Sequence, residues 1–288
     1  MLYLQILVNG LLLGGLYACI ASGFSLVWGV LNVINILHGS FIVIGSYVGL
    51  LAHQQFGINP FLTVPVAGLI LYGFGYALQR GVINRAVGQP VLVTLTLTFG
   101  LELLVNNTLI LGFSADYKKV TLENPLGQIE LGAIFIAVDR LLAMVLALVL
   151  TGILYWMLRG SRLGRAIVAV RMDREAASLM GVKVNTIYAV TFGLGALMAG
   201  AAGSMMSMIY PISPLTSTAY LGKAFVICVL GGLGSVPGAI IGGLVLGVIE
   251  SFGSLFFSAE LATTFSFVLL ILLLIFRPTG LLGRRGYE

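Results

Sequence analysis

Charge is scarce in this chain and unevenly placed. Only 9% of its 288 residues are Asp, Glu, Lys or Arg, and none of these occurs before Arg80. With 59% hydrophobic residues and a mean hydropathy of +1.09, the chain holds far more apolar surface than a soluble core can bury, so a soluble globular protein is excluded. Cysteine is nearly absent: Cys19 and Cys228 are the only two, both inside apolar runs where a thiol acts as a small hydrophobe. A disulfide framework is not expected, and with only two histidines neither is a metal site or another resident cofactor. Gly222-Lys223-Ala224 lacks the preceding Gly and the following Ser/Thr of a phosphate-binding loop. Gly23-Phe24-Ser25-Leu26 lacks the closing Gly of a nucleophilic serine turn. An enzyme is therefore not expected.

What is present in quantity is long apolar sequence without strict alternation, which argues for membrane-spanning helices rather than a β-barrel. The fold class read from this is all-α: a polytopic integral membrane protein of eight or nine transmembrane or re-entrant helices in one domain, residues 1–288. Polar, Gly and Pro punctuation separates Leu4–Val27, Val33–Ala52, Phe61–Leu78, Val91–Gly112, Leu141–Leu158, Ile187–Ile209, Leu221–Gly231, Pro237–Phe257 and Leu261–Phe276. Leu221–Gly231 is too short to cross ~30 Å at 1.5 Å per residue, which predicts a broken or re-entrant helix. The N-terminus lacks a basic region and a small-residue cleavage site, so it is expected to remain as the first span.

Basic residues set the orientation. Arg80 and Arg85, the cluster from Arg159 to Lys183, and Arg277, Arg284 and Arg285 fall on one side if the spans alternate, and that side is expected to be the cytoplasm. Nine crossings would put Met1 outside. The mixed-charge loop from Phe113 to Arg140 lies on the opposite side. A possible internal repeat compares the segments beginning at Leu37 and Leu233, each of which re-enters apolar sequence after a polar or Gly break.

The clearest intramembrane signal is Thr94, Thr98, Glu102 and Asn106, which recur every four residues and form one polar stripe. A charge at Glu102 costs about 2.5–3.5 kcal/mol by insertion scales, so it should face a pathway, a partner or a proton, or bond between helices. Asn32, Asn35 and His38 precede Gly39 at i, i+3 spacing, which suits the start of a broken helix meeting a polar solute. Lys223 and Glu250 read as residues that snorkel. In the basic cluster, Asp173–Met180 followed by Gly181 reads as a short amphipathic helix with a Gly stop. Ala176, Leu179 and Met180 would enter a partner's groove, ringed by Arg171, Arg174 and Glu175, or the segment would lie on lipid headgroups.

These residues carry a resemblance. LNVINILHGSFIVIGSYV, QPVLVTLTLTFG, RLGRAIVAVRMDREAASLMGV, ISPLTSTAYLGKAFVICVLGGLGSVPGAIIGGLVLGVIES and FRPTGLLG together resemble the branched-chain amino acid ABC transporter permease family, specifically the smaller of its two permeases. The resemblance implies the importer permease fold with broken helices and a multi-pass protein of the bacterial inner membrane. It implies a second, related permease, two cytoplasmic ABC ATPases, a periplasmic or extracellular solute-binding protein and membrane lipid as partners, with no nucleic acid. The segment of about 159–186 would couple to the ATPases through Arg171, Asp173, Arg174, Glu175, Ala176, Ala177 and Gly181. Glu102 departs from the small neutral residue of the family pattern and raises urea, amides or another polar solute as alternative cargo. The residues alone also leave open a stand-alone proton-linked carrier using Glu102 and His38.

Overall fold

The computed structural model describes residues 2–121, 127–132, 134–256, 280–282 and the positions 264, 267, 268, 271, 272 and 275. Its elements are α1 (Leu2–Leu31), α2 (His38–Phe56), α3 (Pro60–Gly81), α4 (Val91–Phe113), a hairpin of β1 (Gln128–Leu131) and β2 (Ile134–Ala137), α5 (Val138–Gly160), α6 (Arg162–Met172), α7 (Arg174–Leu179), α8 (Val184–Ile209), α9 (Ser217–Gly231) and α10 (Val236–Phe256). Seven helices among the described residues are long and apolar enough to cross a membrane, and the protein is a multi-pass, predominantly helical membrane protein. The expected last span, Leu261–Phe276, lies largely outside the described residues; its described positions are helical.

Local chemistry sets the breaks. Gly57 closes α2 at φ 63°, a left-handed conformation that costs most residues a Cβ clash. Asn59 opens α3 by accepting the N–H of Phe61 at 3.0 Å, with Pro60 in the first turn, where its missing donor is not needed. Ser161 accepts the N–H of Gly164 at 2.9 Å and starts α6, a helix separate from α5. The β-hairpin inside the Phe113–Arg140 loop was not expected from the sequence.

Arg80, Arg85 and the cluster from Arg159 to Lys183 gather at one end of the bundle, and the hairpin lies at the other with Lys118, Lys119 and Arg140. Gln5 near the start of α1 exchanges two hydrogen bonds with Phe135 of β2, at 2.7 and 2.8 Å, so the N-terminus lies at the hairpin end. From Leu31, at the basic end, residues 32–37 turn back without helical structure. The expected span from Val33 therefore begins instead at His38, half-way along α1, where its Nε2 lies 3.0 Å from the Ile20 carbonyl. The second half repeats this upside down: α8 climbs from the basic end to Ile209, residues 210–216 dip back, and α9 starts at Ser217 beside Gly39 and descends. The most extensive packings follow the same inversion, α3 on α8 and α10 on α1. This makes α9, not the segment from Leu233, the counterpart of α2, so the expected repeat paired the wrong segments. Leu221–Gly231 is accordingly the lower part of a broken helix that, taken from Pro214, reaches 18 residues and is one of the seven long enough to cross, contrary to the expectation from the shorter apolar run.

Lipid offers helices no hydrophobic reason to associate, so close packing must supply it. Gly203 on α8 illustrates how close that packing is, since an added Cβ would sit 1.9 Å from the Ile42 carbonyl oxygen of α2. On the other side, Gly243 and Gly247 of α10 press against the backbone of α1 at Ala18, Gly14 and Gly10.

Candidate functional site

Two broken helices point their N-termini at the middle of the bundle, and the polar stripe of α4 is turned towards them. Thr94, Thr98 and Glu102 are the buried polar residues of α4, while most of its other side chains face outward. Thr98 Oγ1 lies 2.9 Å from the Ile34 carbonyl and 3.5 Å from the Ile36 amide, fastening α4 to the break between α1 and α2. One turn higher, Glu102 Oε1 accepts from Asn106 Nδ2 at 2.6 Å and from Ser217 Oγ at 3.3 Å. Asn106 Nδ2 also reaches Ser217 Oγ at 2.7 Å. A helix N-terminus favours a nearby anion by up to about 2 kcal/mol when partly buried, and a hydrogen bond to a charged group contributes about 1.5–3 kcal/mol. These contacts hold the Glu102 carboxyl between α4 and the start of α9.

Asn35 and His38 are buried at the start of α2, whose cap residue Leu37 has no side chain able to bond the free amides. The carbonyl of Ile20 can only accept, so His38 Nε2 carries the proton. His38 Nδ1, Asn35 Oδ1, Ser40 Oγ and Asn106 Oδ1 are buried without a hydrogen-bond partner. Such groups in one seam mark a place that water or a polar solute can satisfy. Asn32 does not join them. It stands exposed at the basic end at φ 52° and lines a cavity of about 440 Å³ with Thr94, Asp173 and Glu175.

That cavity links the stripe to the basic segment. Asp173 Oδ1 accepts the N–H groups of Glu175 and Ala176 at 2.8 and 3.0 Å, capping α7, and Gly181 at φ 84° ends the turn. Ala177 packs inward, whereas Leu179 and Met180 are 89% and 85% exposed. Arg174 leans over the Gly88 turn. Arg171 is exposed with Arg174 and Glu175, as expected of the ring, and its Nη1 also donates to the Gly234 carbonyl at 2.9 Å in the turn between α9 and α10. A second cavity, of about 580 Å³, lies beyond it towards Gly29, Tyr155 and Pro237, and Val30, Arg171 and Met172 line both.

Lys223 and Glu250 do not snorkel. Lys223 Nζ lies 2.5 Å from Glu250 Oε1 and 2.6 Å from the Tyr17 hydroxyl, which donates to Glu250 Oε2 at 2.7 Å. Reading the sequence missed this group because its members come from α9, α10 and α1; the one available signal was that a Lys and a Glu both occur in late apolar runs. No cluster of potential metal ligands occurs among the described residues.

The family described as the permease component of the branched-chain amino acid transport system matches residues 6–275. The chain belongs to that family. Among relatives of this permease, the high-affinity branched-chain amino acid transport system permease protein BraD of Pseudomonas aeruginosa is 36% identical, over 99% of this chain and 97% of its own. The protein LivH of the same description from Escherichia coli is 34% identical over the same shares. LivM of Escherichia coli is 28% identical over 93% of this chain but 68% of its own length. No solved structure matches the chain.

Proposed function

We propose that this permease is the smaller transmembrane subunit of an ABC importer in a bacterial inner membrane and forms, with a second related permease, the pathway for branched-chain amino acids. The near end-to-end likeness to LivH and BraD, against a partial one to LivM, supports the smaller-subunit reading and a different chain as its partner. A solute-binding protein outside delivers the cargo, and two cytoplasmic ATPases supply the energy. The pathway runs along Asn35, His38, Thr94, Thr98, Glu102 and Asn106, with Asn32 at its inner mouth. The Glu102 carboxylate favours solutes that carry an ammonium group.

The observation that carries this reading is the basic segment: a helix capped at both ends, with Leu179 and Met180 bare and Arg171 bonded to the α9–α10 turn. It is built to enter a groove on another protein and to pull on the bundle. Glu175 and Ala176 sit on its exposed side, and Asp173, Ala177 and Gly181 hold its shape. The test is the double variant Glu175→Ala with Gly181→Val, assembled with its partners in liposomes. Uptake is expected to fall at least tenfold, and ATP hydrolysis to stop responding to loaded binding protein, while membrane insertion is unchanged. Normal ATP-dependent uptake by this variant would sink the coupling reading.

A further inference from the structure

Tyr17, Lys223 and Glu250 make a closed three-way contact across α1, α9 and α10, apart from the pathway and coupling residues named above. Tyr17 lies fourteen positions from Leu31 and Glu250 fourteen positions from Val236, so each is about 21 Å along its helix from the basic end, within the apolar length of the span. Packing alone does not call for charge here. In the inverted half the three corresponding helices, α8, α2 and α3, are joined by neutral groups: Ser46 Oγ donates to the Gly203 carbonyl at 2.7 Å, and Thr63 Oγ1 meets Ser204 Oγ at 2.9 Å. Buried ion pairs can generally be replaced by apolar residues of similar volume at little loss of stability. The pair is also not sealed, since the Lys223 and Glu250 side chains keep 17% and 13% of their surface accessible.

We propose that Lys223, Glu250 and Tyr17 form an exchange site for a zwitterionic α-amino acid, an inference that rests on the importer reading. The solute's ammonium replaces Lys223 at the Glu250 carboxylate, while its carboxylate takes the Lys223 ammonium and the Tyr17 hydroxyl. Both partners are oriented before the solute arrives, and every charge stays paired throughout the exchange. Net charge at the site is zero with or without cargo. Because the solute competes with a partner already in place, occupancy is brief, as a conduit requires. The chemistry selects zwitterions: a solute without a carboxylate leaves Lys223 unpaired, and one without an ammonium leaves Glu250 unpaired.

The experiment uses the whole complex in liposomes, with radiolabelled leucine as the probe and ATP hydrolysis followed in parallel. Lys223→Met with Glu250→Gln removes both charges at nearly constant volume; leucine uptake is expected to fall at least tenfold while hydrolysis stimulated by loaded binding protein stays within twofold. Tyr17→Phe keeps the ion pair and its packing, and is expected to lower uptake about threefold with hydrolysis unchanged. Full uptake in the double variant overturns the proposal and leaves the pair a fastener. Joint loss of uptake and hydrolysis in the double variant, with normal uptake in Tyr17→Phe, overturns it equally. A complex of unsubstituted chains that shows no ATP-dependent leucine uptake defeats the importer reading itself, a result distinct from either.

Discussion

Gly39→Ala is expected to abolish most transport and to lower the thermal stability of the permease in detergent. An added Cβ would sit 2.1 Å from the Ser217 carbonyl oxygen, a backbone atom that cannot swing aside as a side chain would. The starts of α2 and α9 would have to part. Overpacking a well-fitted interior costs typically 1–3 kcal/mol and occasionally more; at about 3 kcal/mol the folded population relative to unfolded drops roughly a hundredfold. Parting α2 from α9 also moves Ser217 away from Glu102 and Asn106, so function should fail before the protein unfolds. The control is Gly73→Ala on α3, where an added Cβ meets nothing within 4 Å; it gains helix propensity and should keep full uptake. If the two variants behave alike in unfolding and uptake assays, the broken helices do not meet as described.

Arg171→Ala is expected to separate ATP hydrolysis from transport. Arg171 stands at the last turn of α6, bonded to the turn at Gly234, whose lack of a side chain leaves room for the guanidinium, since a Cβ there would come 3.0 Å from Nη2. Truncation removes the bond and opens part of the wall that Arg171 gives to both cavities, with Val30 and Met172. The α6–α7 segment can then move without carrying α9 and α10 along. Uptake per ATP hydrolysed should fall at least tenfold, with hydrolysis itself largely retained. Arg171→Lys offers a shorter reach and a single ammonium in place of a planar fork, so it should recover part of the ratio. Equal loss of hydrolysis and uptake would mean that Arg171 supports assembly rather than transmission.

The readable part of this protein is the part written locally. Asp173 and Gly181 bracket α7 because capping and the left-handed stop are decided within a few residues, and the capped helix stands where the spacing put it. The four-residue recurrence of Thr94, Thr98, Glu102 and Asn106 gave one face of one helix, and that face is buried at the first three and half-buried at Asn106. What the stripe faces was not legible, because Ser217 lies 115 residues from Glu102 and its closeness depends on the dip of residues 210–216. Lys223 and Glu250 were misread for a related reason: each alone looks like a charge seeking the membrane edge, and only the hairpin of α9 and α10 against α1 makes them partners. The bond from Arg171 to Gly234 was not legible either, since its partner is a backbone carbonyl that no side-chain pattern reveals.

Cross-linking from α7 tests the central claim most directly. The two native cysteines are both buried, so Leu179→Cys supplies an accessible thiol at a side chain that is 89% exposed. In membranes holding the assembled complex, this thiol is expected to be labelled only from the cytoplasmic side, to form an adduct with the ATPase subunit, and to change its yield when nucleotide is added. Labelling from the outer side, or an ATPase never captured under any nucleotide condition, would contradict the account.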